Sequence, residues 1–300
     1  MRGATAGPAV HQGISVPLAD PALRTRSPGE EFAWAVHGAS GAEDRVVPFR
    51  AHLPAAFPLF ATRPRYAVRH LLKSASVSDS GVAYVHEPPA ADPCTAGTSY
   101  RGTPENAFSP RVGEAQLTDL SVSVPLPAGL LDEPSLLASF VDHRVLVRLS
   151  VVENESLLHG TADKAIPGLL TLPGLRHAAL GPDIGDISDS IALAAAEVEE
   201  TGGSCDGIVV HPSTYWRLVR DGVLGLLAEA GITVSRTRMI PRGQVLLGDF
   251  RAAATLLLPD VASIGLRRGI GARGGDVIEA TTRIGLAVHL PQHLLLLSRD

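Results

Sequence analysis

The chain has 300 residues, 45% of them hydrophobic and 19% charged, with a formal net charge of -5. That length holds one large domain or two smaller ones around a sizeable core, and the near-neutral balance argues against wrapping a polyanion or docking on an acidic membrane. Aromatic residues make up only 4%, so the core is expected to be Leu, Val, Ile and Ala. Of the 26 basic residues only Lys73 and Lys164 are lysines, which reads first as compositional bias toward arginine. Cys94 and Cys205 show no CxxC spacing, so neither a zinc site nor a disulfide framework is expected, and a reducing compartment fits.

Residues 1–50 are punctuated by Pro and Gly and carry no apolar stretch of signal-peptide length, so they are expected to form an irregular, extended arm. Pro54, Pro58 and Pro64 exclude a long helix in the stretch that follows. RYAVRHLLKSASVSDSGVAYVHEPP then alternates like a strand around Gly81, and PAADPCTAGTSYRGTPENAFSPRVGE is nearly free of periodicity. Long structureless stretches inside a domain are functional or disordered. TDLSVSVPLP resumes alternation at Leu120, Val122 and Val124, as the returning limb of a long hairpin would.

One long helix is predicted over 133–159, with Asp132 as N-cap, Glu133 and Pro134 in its first turn and Gly160 just past its end. Leu137, Val141, Val145 and Val152, with Phe140 and Leu149 beside them, keep one apolar stripe. Such a helix would be roughly 40 Å long. Pro167, Gly168, Pro173 and Gly174 bracket LLTL, predicting a turn and a short extended piece. From 187 to 250 the pattern changes to an α/β layer: a helix ISDSIALAAAEVEET capped by Asp186 or Ser188, a buried strand DGIVVHP, a short helix STYWRLVRD, then ITVSRTRMI and QVLLGDF. At the end Ile278, Ala280, Ile284, Leu286 and Val288 mark a strand that Pro291 interrupts. The longest apolar clusters, 256–258 and 294–297, fall far short of the ~20 residues that span a bilayer, so a soluble chain is expected.

The motifs that could carry chemistry fail on context. GIGARG at 269–274 fits GxGxxG, yet a dinucleotide site needs a following helix and an acidic residue about 20 positions on, whereas the next residues alternate like a strand. His289 and His293 are four apart, but Pro291 between them breaks the helix on which a zinc pair would sit. Asp183, Asp186 and Asp189 lack the spacing of a calcium loop and precede a helix that favours an acidic cap. Neither a GxSxG elbow nor a P-loop is present. No catalytic residue, metal site or cofactor is expected.

The order of segments resembles the major capsid fold of tailed bacteriophages, the Hong Kong 97 type, which encapsulin nanocompartments share. GVAYVHEPP to TDLSVSVPLP looks like the extended E-loop, LDEPSLLASFVDHRVLVRLSVVENESLLHG like the spine helix, and TADKAIPGLLTLPG like its exit. GIVVHPSTYWRLVRD with ITVSRTRMIPRGQVLLGDF is similar to the axial domain, and VIEATTRIGLAVHLPQHLLLL to the strand returning to the peripheral domain. The resemblance implies an α+β fold: an N-terminal arm (1–50), peripheral domain (51–79), E-loop (80–120), peripheral domain with the spine helix (121–180), axial domain (181–265) and C-terminal peripheral strand (266–300).

It also implies a structural function, self-assembly into a closed icosahedral shell. The partners are then further copies of the chain and an encapsulated cargo protein, with no membrane, in the cytoplasm. The short irregular N-terminal region and the end soon after HLPQHLLLL favour an encapsulin. A phage capsid enclosing DNA is the alternative, and an unrecognised α/β enzyme the third. Lys73 is the one lysine near the hairpin, which argues against capsid-type cross-linking. Arg220, Asp221, Gly222, Val223, Leu224 and Gly225 would lie near the symmetry axes and line a pore, one of weak ion selectivity because Arg220 and Asp221 oppose in sign; an ordinary Asp-Gly turn is the other reading.

Overall fold

The structure, a computed structural model, describes residues 27–38, 44–50, 68–78, 81–87, 110–180, 187–200, 202–259 and 261–298. In chain order these form α1 (Pro28–His37), β1 (Arg45–Arg50), β2 (Lys73–Ser76), β3 (Gly81–His86), β4 (Arg111–Gln116) and β5 (Thr118–Pro125). A helix in three parts follows: α2 (Pro134–Phe140), a π-helical turn (Val141–Val145) and α3 (Leu146–His159). Next come β6 (Arg176–Ala179), α4 (Ile187–Glu200), β7 (Gly207–Val210), α5 (Pro212–Arg220), α6 (Val223–Glu229), β8 (Thr233–Arg236) and β9 (Val245–Gly248). The last are α7 (Phe250–Ala253), β10 (Ala254–Leu258), β11 (Val261–Arg267), β12 (Val277–Val288) and β13 (Leu294–Ser298). Helices with mixed sheets make the chain α+β. Among the described residues no helix is long and apolar enough to cross a membrane.

Two units share these elements. One comprises Ser150–Asp260, the chain from Arg283 onward and the described residues of 58–120. Its five-stranded sheet has the order β6-β13-β9-β7-β8, with β9 antiparallel to both neighbours and the two outer pairs parallel. Alternate residues of the central strands enter two different apolar clusters. Val209, Leu246, Leu294 and Leu296 pack with Leu157, Leu158, Leu169 and Phe250. Ile208, Val210, Val245, Leu247, Leu295 and Leu297 pack on the other side with Ile191, Ala194, Val198 and Leu218. A sheet covered on both faces needs an apolar residue at every position, which is why these strands read as continuous runs. Helix α4 lies against β13 and β9, while α5 and α6 lie against β8. In the same unit the second half of β12 pairs antiparallel with β10, and β10 pairs parallel with β2.

The other unit comprises Ser121–Leu149, Val261–Thr282 and the described residues before Phe57. Here β11 lies between β1 and the first half of β12, antiparallel to both. Helix α1 packs on α2 and on the π-helical turn. The contact is close: a Cβ on Gly29 would fall 2.2 Å from the Ala138 carbonyl oxygen, so only glycine fits. Asp142, in the π-helical turn, is buried and accepts hydrogen bonds from the Ser27 hydroxyl and from the Gly29 amide, the latter at 2.9 Å. A carboxylate of one helix thus helps satisfy the orphan donors at the start of another.

Several expectations are corrected. The helix expected over 133–159 runs unbroken from Pro134 to His159, but it contains a π-helical turn at Val141–Val145, where Asp142 meets α1. Asp132 ends a 3-10 turn (Leu130–Asp132), and Glu133 occupies the N-cap position without a side-chain cap. The end is as expected, with Gly160 at φ 83°. Within the arm expected to be irregular stands α1, opened by a capping box in which Ser27 accepts from the Glu30 amide and Glu30 from the Ser27 amide. Ser188 lies inside α4 rather than capping it, and Asp186 lies outside the described residues. LLTL forms a 3-10 turn (Leu169–Thr171) instead of an extended piece. Helix α6 was not anticipated.

Burial pushes the Asp142 carboxyl above its ordinary value, against the hydrogen bonds from Ser27 and Gly29 that pull it down. A raised folded-state value stabilises the fold at low pH, and that contribution is lost as pH climbs through it. In urea unfolding, wild type is therefore expected to lose ground to Asp142→Asn as pH rises from about 4. Gly29→Ala is expected to cost about 1–3 kcal/mol by the same measurement, because the added methyl meets backbone that cannot give.

Candidate functional site

The expected pore residues fall on the reversal between α5 and α6. His211 caps α5 by accepting from the Ser213 amide at 3.1 Å, and Pro212 supplies the pre-set first turn. The helix ends at Arg220, and Gly222 at φ 73° lets the chain double back into α6. Arg220 and Asp221 pair with each other at 2.8 Å, which holds the Asp221 carboxyl below and the Arg220 guanidinium above the usual range. Their charges cancel locally. Arg220, Asp221, Gly222 and Gly225 are exposed, whereas Val223 and Leu224 turn back onto the cluster around Leu218.

The hairpin is a second exposed element. Its returning limb is β4, paired with β3 from Gly81↔Gln116 to His86↔Arg111, and not TDLSVSVP, which forms β5 and pairs with β12. Val82, Tyr84 and Ala115 pack toward Leu257 and Ala287. The opposite face turns outward, where the cross-strand partners Val85 and Val112 are 58% and 77% exposed. The intervening residues 88–109 lie outside the described residues.

His289 fastens this hairpin to the sheet beneath. Its Nδ1 lies 2.8 Å from the Val85 carbonyl oxygen and its Nε2 lies 3.0 Å from the Thr255 hydroxyl. A carbonyl only accepts, so Nδ1 carries the proton and, in the neutral ring, Nε2 accepts from Thr255. Tyr84 meets the ring edge-on at 5.5 Å, and the Glu87 amide donates to the His289 carbonyl at 2.9 Å. His293 does not join it, and burial pulls its imidazole below the usual value. The two histidines therefore form no ligand pair, and no cluster of three metal-ligating residues occurs among the described residues.

The remaining motifs resolve locally. GIGARG lies in the connection between β11 and β12, where the Asp276 carboxylate accepts from the Gly269 amide at 3.0 Å and from Arg268 at 2.7 Å. A side-chain anion thus takes an amide that a phosphate would need, and a strand follows instead of a helix. Asp183, Asp186 and Cys94 lie outside the described residues, and Asp189 sits in the first turn of α4. Cys205 is buried, which pushes its thiol up to about 12. Lys73 is exposed on β2, opposite Thr255 of β10. Replacing His289 by Ala is expected to speed amide exchange of Val82–Val85 and Val112–Ala115 about tenfold while leaving β7 and β9 protected, measured by hydrogen exchange.

Neither a protein-family profile nor a curated protein matches the chain. Solved structures do. The virus-like particle from Pyrococcus furiosus is similar at 13% identity and a TM-score of 0.55, over 79% of this chain and 97% of that one. Mycobacterium phage Bobi is similar at 11% identity and a TM-score of 0.57, over 84% and 96% of the two chains. The capsid of the empty GTA particle matches at 14% identity and a TM-score of 0.55, over 79% and 91%. At such identities the likeness is one of fold, and it extends over nearly all of each of those chains. The chain therefore has the Hong Kong 97-type capsid fold.

Proposed function

We propose that this protein is a structural shell protein that self-assembles into a closed icosahedral compartment around a protein cargo, as encapsulins do. The likeness to the virus-like particle over 97% of that particle's chain carries the proposal. Fold alone does not fix function. The exposed face of β3 and β4 adds a physical reason: Val85 and Val112 form an apolar cross-strand pair on a two-stranded ribbon, a surface suited to an adjacent subunit. Enclosure of DNA is the second reading, favoured by the equally extensive likeness to the phage chain. Under either reading the division into arm, peripheral domain, E-loop and axial domain applies. Any catalysis belongs to the contents, and an encapsulin would reside in the cytoplasm.

In such a shell Arg220, Asp221, Gly222 and Gly225 line an opening at a symmetry axis, and Val223 and Leu224 hold the turn to its core. Charge cancellation between Arg220 and Asp221 makes that opening weakly selective.

Electron microscopy of the protein expressed alone is expected to show uniform closed particles; a small oligomer without particles would overturn the proposal. Mass spectrometry of purified particles is expected to find a co-purifying protein, whereas nuclease-protected DNA would favour the capsid reading. Arg220→Glu leaves two carboxylates at the turn and is expected to slow entry of anionic dyes. Unchanged permeability would remove these residues from the opening.

A further inference from the structure

Helix α4 has two unlike faces. Ile187, Ile191, Ala194 and Val198 are buried in the core. On the outer side Leu193 is 70% exposed, and Asp189, Glu197 and Glu200 share its face at positions i−4, i+4 and i+7. The helix carries four carboxylates, counting Glu199, and no Lys or Arg. One of them, Glu197, also holds Arg176 at 3.0 Å.

A surface of opposite character lies around α5 and β8. Arg217, Arg236, Arg238 and Arg242 lie in α5 and around β8, and residues 207–220 and 233–243 contain no Asp or Glu; Arg220 is neutralised by Asp221, and Glu229 ends α6. Trp216 is 60% exposed. Arg236 is held by ring faces: its guanidinium carbon lies 4.3 Å from the centre of Tyr215 and 5.2 Å from that of Trp216. Beside this cluster runs a groove of about 380 Å³ lined by Tyr215, Leu224, Ala228, Ile232 and Val234. Thr233 and Gly231 complete the lining, so the groove is open and mixed, with apolar side chains beside polar ones.

We infer that the α4 face of one copy docks on the α5–β8 face of a second copy, with Leu193 seated in the groove beside Trp216 and the α4 carboxylates facing Arg236 and Arg238. Charges of opposite sign flank Leu193 on one side and the partly apolar groove beside Trp216 on the other, the composition of a specific contact with an aromatic anchor. Position supports the pairing. Helix α4 covers β13 and β9, whereas α5 and α6 flank β8, the last strand of the same sheet, so the two faces lie toward different ends of one layer. Unlike faces on one chain make a head-to-tail contact, which closes into a ring when the rotation permits. The inference rests on the shell reading and supplies one of its contacts.

The test is charge reversal with compensation. Asp189→Arg with Glu200→Arg, and separately Arg236→Glu with Arg238→Glu, are each expected to lower particle yield at least ~10-fold, because like charges then meet across the contact. All four changes in one chain are expected to restore yield to within about threefold. Circular dichroism melts of each variant confirm folding before assembly is scored. A double variant that assembles like wild type, or a combined variant that fails, overturns the inference while the shell reading stands. Normal particles from the α4 variant, with loss of contents only in the Arg236 variant, assign the basic face to cargo or nucleic acid and overturn it as well. An unmodified chain that forms no particles overturns the shell reading, and the inference with it.

Discussion

The five-stranded sheet is the constraint on which its unit depends, because both of its faces are buried. Val245, Leu246 and Leu247 in β9 have no exposed surface, and each such side chain stabilises by about 1.5–3 kcal/mol when fully buried. The sheet also needs a close backbone crossing. A Cβ on Gly248 would fall 2.1 Å from the His293 carbonyl oxygen, and its φ of 148° is one that glycine alone adopts readily. Immediately beyond, Asp249 accepts from the Ala252 amide at 2.9 Å and Asp206 from the Phe250 amide at 2.8 Å, so two carboxylates turn the chain into α7. Strand β13 sits between β6 and β9, which places a late segment inside the sheet. The layer cannot be completed before that segment arrives, a long-range closure of the kind that slows folding.

That two-sided burial is also what made much of the fold legible in sequence. GIVV, VLLG and LLLL are short apolar runs bounded by turn residues, and the α4 pattern of Ile187, Ile191, Ala194 and Val198 has helical spacing. What stayed hidden depends on partners far away in the chain. Strand β4 reads RVGEAQ, with Ala115 its one buried side chain, so only the opposing β3 defines it. The π-helical turn coincides with a hydrogen bond across 113 residues, from Gly29 to Asp142, which no local window contains. Helix α1 did carry a local signal, Ser27-Pro28 with Glu30 three residues on from the cap, but the Pro and Gly content around it masked the capping box. The role of His289 had no sequence signal, since its partner Val85 lies 204 residues away.

Polar anchors and apolar clusters do different work here. The clusters around Leu246 and Leu247 are many-partnered and buried. The hairpin and α1 add directed polar contacts to their apolar packing, through His289 and Asp142. A net hydrogen bond contributes only about 0.5–1.5 kcal/mol, yet leaving a buried partner unsatisfied costs more, so such anchors fix geometry more than they add stability. If the chain assembles as proposed, elements that meet a neighbouring subunit would gain from this division. Their orientation is set before contact, while their outward faces remain free of the core.

The outward residues complete that logic. Leu193 and Trp216 are small exposed apolar features bordered by charged residues, and exposed apolar side chains of that extent do not by themselves drive collapse. A contact built from one leucine, one tryptophan and a few exposed charges is individually weak, since surface ion pairs contribute about 0–1 kcal/mol each. Weakness suits a closed assembly. Each misplaced copy can dissociate, whereas a correctly placed copy is held by several contacts at once, and linked contacts multiply in strength without any one being tight. In the proposed shell the core would set the shape of the subunit, and modest contacts at its surface would suffice to join copies of it.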